Sequence, residues 1–539
     1  MKKKLRIAIV TEYSLLQAWQ YTLIAELNKS FLLEAALKIE VKKPRDSKIP
    51  NNKEPWHWRT FRKLDEKIFR PAPDATALKE GRELFTETII CQFCKEEDII
   101  RMQEKELDVI INLTNLTLPE PLSKLSKYGI WYFIHANINQ PFNKPIATWE
   151  LFSQKPEIGA SLCCQLPDKK PIILAQTFAC TDLLSYSRNL NTILWQTFPL
   201  IITSLRNLYL KGEEAFFDEA YKKYPKSPEH IESAAVVYPG KREVLKHLWK
   251  TTYRKIRQLI KSQFYFNQWT LLYQFSDNDK PETDISRYKR IVPPKDRFWA
   301  DPFLYKKNGK YYVFIEELKY NRKLGELAVM EIDENGNYTK PQTILKKDYH
   351  LSYPFLFEED GVLFMIPETS NNKDIQLYVC TDFPLKWERV ETLMTNVEAV
   401  DTTIHKENGL YWMFTNIKKY KGGSKHSELF LFYSDELASS QWKPHPSNPI
   451  VSDVKQSRPA GSIFKQDEKL IRPAQNCSYY YGYGMNFCEI TTLDKEQYHQ
   501  EIIQHLLPKW EKDVLATHTF NHLDKLSISD ALIKRKRYF

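Results

Sequence analysis

Asp301-Pro-Phe-Leu-Tyr305, Tyr353-Pro-Phe-Leu-Phe357, Asp401-Thr-Thr-Ile-His405 and Arg458-Pro-Ala-Gly-Ser-Ile-Phe464 are four copies of one pattern, a polar or aromatic residue running into a strand. In the first three copies a turn follows, Asn308-Gly309, Asp360-Gly361 and Asn408-Gly409, and then a second strand, Tyr311 to Ile315, Val362 to Ile366 and Leu410 to Phe414. Asn-Gly or Asp-Gly between two such runs is the strongest short hairpin signal. The fourth copy turns through Gln466-Asp467-Glu468. Successive starts lie 52, 48 and 57 residues apart, which is the length of one four-stranded blade. A β-propeller follows; a β-sandwich would leave a period of this length unexplained. Four blades are explicit, and the tail from Tyr479 to Ile533, with strand-like Gly484 to Ile490 and Leu526 to Ile528, has room for a fifth.

The repeat also says where polar groups meet. Each inner strand opens at one face of a propeller and the second strand of its hairpin returns there, so opening and closing residues converge on a central pit. Asp301 goes with Glu316, Tyr353 with Glu368 and Asp401 with Asn416, each fifteen positions later. Arg458 is followed by Arg472 and Gln475, and Glu317 adjoins the set. Crowded carboxylates raise one another's pKa and suit acid/base chemistry, or a cation or polyol site. Guanidinium groups nearby offer bidentate anion binding. The bland alternative is mutual neutralisation that closes the pit. A polar, aromatic-lined hollow suits sugars, with Trp299, Tyr353, Tyr411 and Trp412 serving as stacking faces or as blade packing. No dedicated metal ligand set is visible, although Asp301, Glu316 and Glu368 offer oxygens to a hard cation.

Upstream the texture differs. Residues 1–210 alternate short apolar strands, Leu5 to Val10 and Leu107 to Leu113, with helical stretches such as Leu15 to Leu27, the pattern of a parallel α/β sheet. No G-x-G-x-x-G follows the first strand, so a dinucleotide is not implied. Residues 211–289 read as a helical connector and 290–539 as the propeller. Within the connector, Leu245, Leu248, Trp249, Tyr253, Ile256, Leu259 and Ile260 recur at helical spacing among Lys250, Arg254, Lys255, Arg257 and Lys261. Such a helix either packs against a neighbouring domain or lies on an anionic membrane face.

The 539 residues are too many for one ordinary core, and with 42% apolar, 13% aromatic and 27% charged residues the chain is neither disordered nor collagen-like. Lys and Arg exceed Asp and Glu by 78 to 68, a mild excess that suits anionic ligands; no nucleic-acid motif is present. The short apolar run after Met1 to Lys4 is closed by Thr11 and Glu12, so no secretory signal is expected. No run approaches a spanning length. Eight scattered cysteines, with Cys91-x-x-Cys94 the one close pair, fit buried thiols in a reducing cytosol. A cytoplasmic location is expected, with peripheral contact at the inner membrane as an extension of the basic helix.

Phe298-Trp-Ala-Asp-Pro302, Tyr353 with Ile366-Pro-Glu-Thr369, Val400-Asp-Thr-Thr403 and Ser457-Arg-Pro-Ala-Gly461 resemble the N-terminal domain of glucosamine inositolphosphorylceramide transferase proteins. That domain is itself similar to five-bladed glycoside hydrolases of the arabinanase and β-xylosidase type. The resemblance implies that Asp301 matches the hydrolase base and Asp401 the carboxylate that tunes pKa and orients. Where the acid should open the fourth blade stands Arg458, which cannot donate a proton at neutral pH. Glu316 or Glu368 is left to supply the acid, and an arginine in that place suits the phosphate of a nucleotide sugar or lipid-linked sugar, or a sugar carboxylate.

Gly129-Ile-Trp-Tyr-Phe-Ile-His135-Ala-Asn137, with Pro145, Trp149-Glu150 and Ile158-Gly159-Ala160-Ser161-Leu162, resembles the formyltransferase domain that uses 10-formyltetrahydrofolate. The resemblance implies His135 as a site residue and Asp168, in Asp168-Lys-Lys-Pro-Ile172, as its acidic partner. Phe133 replaces the family's asparagine, a role that Asn137 would have to take.

Together these readings give a Rossmann-like α/β domain followed by a five-bladed propeller, and three functions. The leading one is a carbohydrate-active enzyme of bacterial surface-glycan assembly, transferring or modifying an activated or lipid-linked sugar. There Asp301 is the base, Asp401 and Glu368 orient hydroxyls, and Arg458 and Arg472 hold the anionic part. The second is amino-sugar N-formylation, the one reading that needs a cofactor, 10-formyltetrahydrofolate. The third is a non-catalytic glycan-binding scaffold.

Overall fold

The computed structural model describes residues 3–41, 54–91, 96–114, 116, 118, 120–136, 144–228, 236–277 and 280–538. Asn137 and Cys94 lie outside them. The chain divides into two compact units, Met1–Tyr253 with Lys421–Gly423, and Arg254–Tyr420 with Ser424–Phe539.

The first unit is built on one seven-stranded sheet with the spatial order Thr88–Cys91, Leu33–Val41, Leu5–Thr11, Val109–Asn112, Ile130–Ile134, Glu157–Gln165 and Ile172–Cys180. The first five strands are parallel and the last two antiparallel. Val109–Asn112 is buried at every position, as expected of a parallel strand covered on both faces. The 26-residue helix Tyr186–Lys211 buries Ile193, Phe198, Ile201 and Leu205, and the Ser185 hydroxyl caps it by accepting from the Arg188 amide.

The second unit is a five-bladed β-propeller. Four blades are four-stranded meanders in chain order, running Arg297 to Leu345, Ser352 to Thr395, Ala399 to Pro444 and Phe464 to Leu506. The predicted hairpin turns are present: Asn308 and Gly309 have φ of 52° and 77°, Asp360 and Gly361 49° and 75°, Asn408 and Gly409 52° and 75°. Positive φ at both central residues is the turn that matches strand twist, and glycine at the second position takes it without a Cβ penalty. Asp467 and Glu468 make the same turn at 47° and 64° without a glycine.

The fifth blade differs from expectation. It joins the two ends of the unit: Tyr265–Phe275 pairs antiparallel with Leu526–Lys536 over eleven residues, flanked by Lys289–Ile291 on one side and Val514–Ala516 on the other, while Phe520–Leu523 forms a hairpin with Leu526–Lys536. Residues 265–289, read from sequence as the end of a connector, thus supply propeller strands, and Gly484–Leu493 belongs to the fourth blade. The physical reason is closure: a ring whose last sheet takes strands from both termini leaves no loose blade to unzip.

Apolar clusters follow the ring. Phe303, Phe355 and Ile404 join blades one to three; Trp412, Phe414 and Ile490 join three to four; Ile471, Phe487 and Leu272 join four to five; Tyr273, Ile528 and Val313 join five to one. Trp299, Tyr353, Tyr411 and Trp412 are all buried in these clusters, so they are blade packing rather than stacking faces. Among the described residues no helix is long and apolar enough to cross a membrane.

Candidate functional site

The blade openings share a backbone device. Asp301, Tyr353 and Asp401 have φ of 50°, 46° and 52°, and at each the strand ladder slips, between Ala300 and Phe303, Ser352 and Phe355, and Val400 and Thr403. A non-glycine residue held there costs about 1–3 kcal/mol. Three repetitions of that cost at one position of the repeat mark a bulge that re-aims a side chain.

Asp301, Glu368, Asp401, Arg458 and Gln475 do come together. Arg458 holds Asp401 through two bonds, Nε to Oδ2 at 2.5 Å and Nη2 to Oδ1 at 3.2 Å, and its Nη2 lies 3.5 Å from Glu368. The Gln475 amide donates to Asp401 Oδ2 at 2.7 Å. Asp301 Oδ1 accepts from the Thr519 hydroxyl at 2.7 Å and Oδ2 from the Tyr353 amide at 3.2 Å. The Tyr353 hydroxyl is fixed by Thr403 and the Gly461 amide, each at 2.8 Å.

Other expected members point elsewhere. Glu317 is tied to Arg297, Lys319 and the Trp299 indole. Arg472 is fully buried and donates to the Gln456 and Ser457 carbonyls and to Gln500, so it braces the fourth-blade opening. Asn416 is buried beside Ser457, which lies 3.5 Å away, its Oδ1 unpartnered. Glu316 faces His350 at 3.2 Å. The Arg458 guanidinium is occupied by Asp401, by His426 at 3.0 Å and by the Tyr481 ring at 4.7 Å, so it is not open to an anion.

In the first unit His135 follows the strand Ile130–Ile134, with Nε2 buried and unpartnered, and burial holds its pKa down at about 4. Asp168 is an exposed turn residue beyond Gln165, and Gln165 pairs with Ile130. The antiparallel register therefore places Asp168 by the start of the strand whose end carries His135. The two are not brought together.

Several members of the propeller cluster escaped the sequence reading. His518, in Thr517-His518-Thr519-Phe520, opens the fifth blade 60 residues after Arg458, a spacing that fits the period. Its Nδ1 lies 2.7 Å from Asp530 and 3.7 Å from Asp301, and Trp269 stacks on its ring at 4.0 Å. Asp301, His518 and Asp530 place donor atoms within 4.8 Å of one another. Burial alone would lower the His518 pKa, but Asp530 and Asp301 outweigh it and carry it up to about 9.

The electrostatics raise two of the carboxyl groups. Burial, with Glu316, Asp401 and Asp530 adding to it against His518, pushes Asp301 up to about 7. Burial and then the Asp401 charge raise Glu368 well above the usual carboxylate range, although Arg458 opposes them. His426, which accepts from Arg458, is lowered to about 3 by burial and by that arginine. The cluster thus combines two carboxyl groups of raised pKa, Asp301 and Glu368, with one buried ion pair, Arg458–Asp401.

Residues 289–531 match the family described as "Glucosamine inositolphosphorylceramide transferase 1, N-terminal". Glucosamine inositolphosphorylceramide transferase 1 of Oryza sativa subsp. japonica is 32% identical over 204 residues, 37% of this chain and 27% of that protein. The protein of the same name from Arabidopsis thaliana is 32% identical over 206 residues, 38% and 27% of the two chains. The chain thus spans about a quarter of the length of the curated relatives it matches. A solved putative glycoside hydrolase from Bacteroides ovatus aligns with 48% of this chain and 96% of its own at 13% identity and a TM-score of 0.34. No functional correspondence follows from similarity at that level. The propeller is similar in sequence to the glucosamine inositolphosphorylceramide transferase N-terminal domain, as its motifs imply.

Proposed function

We propose that the propeller carries a sugar-transfer site in which Asp301 is the base and Glu368 the acid, acting on an activated or lipid-linked sugar during glycan assembly. The observation that carries this reading is the convergence of Asp301 and Glu368 on the Arg458–Asp401 ion pair where the blades open, with both carboxyl groups raised in pKa, Asp301 to about 7. Asp301 takes the proton of an acceptor hydroxyl as that oxygen bonds to the anomeric carbon. The bond from that carbon to the leaving oxygen breaks, and Glu368 protonates the leaving oxygen. Asp401, gripped by Arg458 and Gln475, is a positioning residue whose charge, after burial, raises the Glu368 pKa.

The name of the relatives adds a substrate class, an amino sugar moved onto a phosphoinositol lipid. The test is to incubate the purified chain with a panel of nucleotide sugars and inositol-phosphate lipid acceptors and follow product by mass spectrometry. Product formed by the native chain and lost in Asp301→Asn and Glu368→Gln supports the reading. Sugar binding without turnover of any donor replaces it with a glycan-binding role.

A further inference from the structure

The helix Lys241–Phe264 carries a face that the fold leaves uncovered. Of its 24 residues only Val244 and His247 are buried, near Trp58, Phe61 and Phe152. Leu245, Leu248, Trp249, Tyr253, Ile256, Leu259, Ile260 and Phe264 are exposed, by 45% to 67%. Steps of three and four residues place them on one stripe. A single helix therefore exposes eight large apolar side chains, where isolated ones are ordinary and contiguous ones mark an interaction surface.

The rest of the helix is cationic. It holds eight Lys and Arg residues and one acidic residue, Glu243. Arg254 and Lys261 occupy the side opposite the stripe, and Lys246, Lys250, Lys255 and Arg257 flank it. At its C-terminal end the Arg537 amide donates to the Phe264 carbonyl, its guanidinium donates to the Ser262 carbonyl, and the Lys534 ammonium sits 3.8 Å over the Tyr265 ring. The basic run Lys534 to Arg537 thereby joins the same patch. Arg257, with Lys534, lowers the Lys261 pKa, which is what like charges crowded together do.

We propose that this helix is an interfacial anchor that lies in the plane of an anionic lipid bilayer, its apolar stripe among the acyl chains and its basic flanks against the headgroups. Charge complementarity selects this occupant. A protein partner would cover the stripe with apolar surface and gain little from so many cations around it, whereas an anionic leaflet satisfies both parts at once. The helix is about 36 Å long. Trp249 and Tyr253, stacked at 5.6 Å, are the residue types that settle at the headgroup boundary. Lys and Arg reach outward from beside an embedded stripe along their own apolar stems.

The test is flotation of the full chain with vesicles of phosphatidylcholine alone and of phosphatidylcholine mixed with phosphatidylserine. The expected result is flotation with the mixed vesicles only, weakening as salt rises. The substitutions Trp249→Glu, Ile256→Glu and Leu259→Glu fall on exposed positions and should abolish flotation with the circular dichroism spectrum unchanged. Charge reversal by Lys250→Glu, Arg257→Glu and Lys261→Glu should weaken it on the order of a hundredfold. No flotation, equal flotation with neutral vesicles, or a concentration-dependent dimer that the stripe substitutions dissolve would overturn the proposal.

Discussion

Arg458 and Asp401 form a buried two-pronged ion pair, Nε to Oδ2 at 2.5 Å and Nη2 to Oδ1 at 3.2 Å, across the openings of the fourth and third blades. The arginine that opens the fourth blade is therefore the ion-pair partner of the aspartate that opens the third. Removing one member should expose what the pair conceals. Arg458→Met should destabilise the chain by about 3–5 kcal/mol, because Asp401 is left charged and buried. Adding Asp401→Asn should recover a large part of that loss. Denaturant melts of the two single variants and the double variant measure the coupling.

The pH dependence of turnover should have two limbs. Activity should rise as pH passes about 7, where Asp301 loses its proton, and the descending limb, set by Glu368, should lie well above the usual carboxylate range. Because the groups interact, the two apparent values belong to the pair. A rate profile on the native chain checks this, and Glu368→Gln should remove the descending limb together with roughly 100- to 10,000-fold of the rate.

Stability should fall as pH rises. His518 faces Asp530, Asp301, Trp269 and Tyr481, and its folded pKa of about 9 lies above its ordinary 6.5. A raised pKa means that the folded state binds the proton more tightly, so this contribution is whole below 6.5 and vanishes as pH climbs through about 9. The loss is on the order of 3 kcal/mol. Melting midpoints across that window should drop in the native chain and stay flatter in His518→Gln.

Gly461 should tolerate no side chain. Its φ is 134°, and a Cβ there would lie 1.9 Å from the Phe520 carbonyl oxygen. Gly461→Ala should cost about 3 kcal/mol or more by displacing the neighbouring strand. The altered strand should also loosen Tyr353, whose hydroxyl accepts from the Gly461 amide. Thermal melting of the variant reads the loss.

Ring closure gives a further expectation. A chain starting at Arg254 retains Tyr265–Phe275 and should unfold in one cooperative step, whereas one starting at Val292 lacks the partner of Leu526–Lys536 and should not. Calorimetry on the two chains distinguishes them.

Much of the propeller is legible because its signals are local. Asn308-Gly309, Asp360-Gly361 and Asn408-Gly409 announce hairpins by the φ they require, and the period announces blades. The fifth blade is not legible that way, since Tyr265–Phe275 and Leu526–Lys536 come from opposite ends of the unit and nothing local declares their pairing. The same gap hides Trp269 and His518 from the site. Arg472 shows the other limit: position in the repeat brings it near the opening, but three donor groups with nearby carbonyl and amide acceptors decide where it turns. His135 and Asp168 are close enough in motif order to suggest a site, and the antiparallel register of Ile130–Ile134 with Glu157–Gln165 separates them.

In the proposed mechanism Asp301 and Glu368 work as one acid/base pair at the meeting point of the blades. Product formation from nucleotide sugars, measured side by side for the native chain, Asp301→Asn, Glu368→Gln and His135→Ala, tests it most directly. The predicted result is loss of turnover in the first two variants, with folded structure intact, and retained turnover in His135→Ala. Turnover that survives both carboxylate substitutions and disappears with His135 would contradict it.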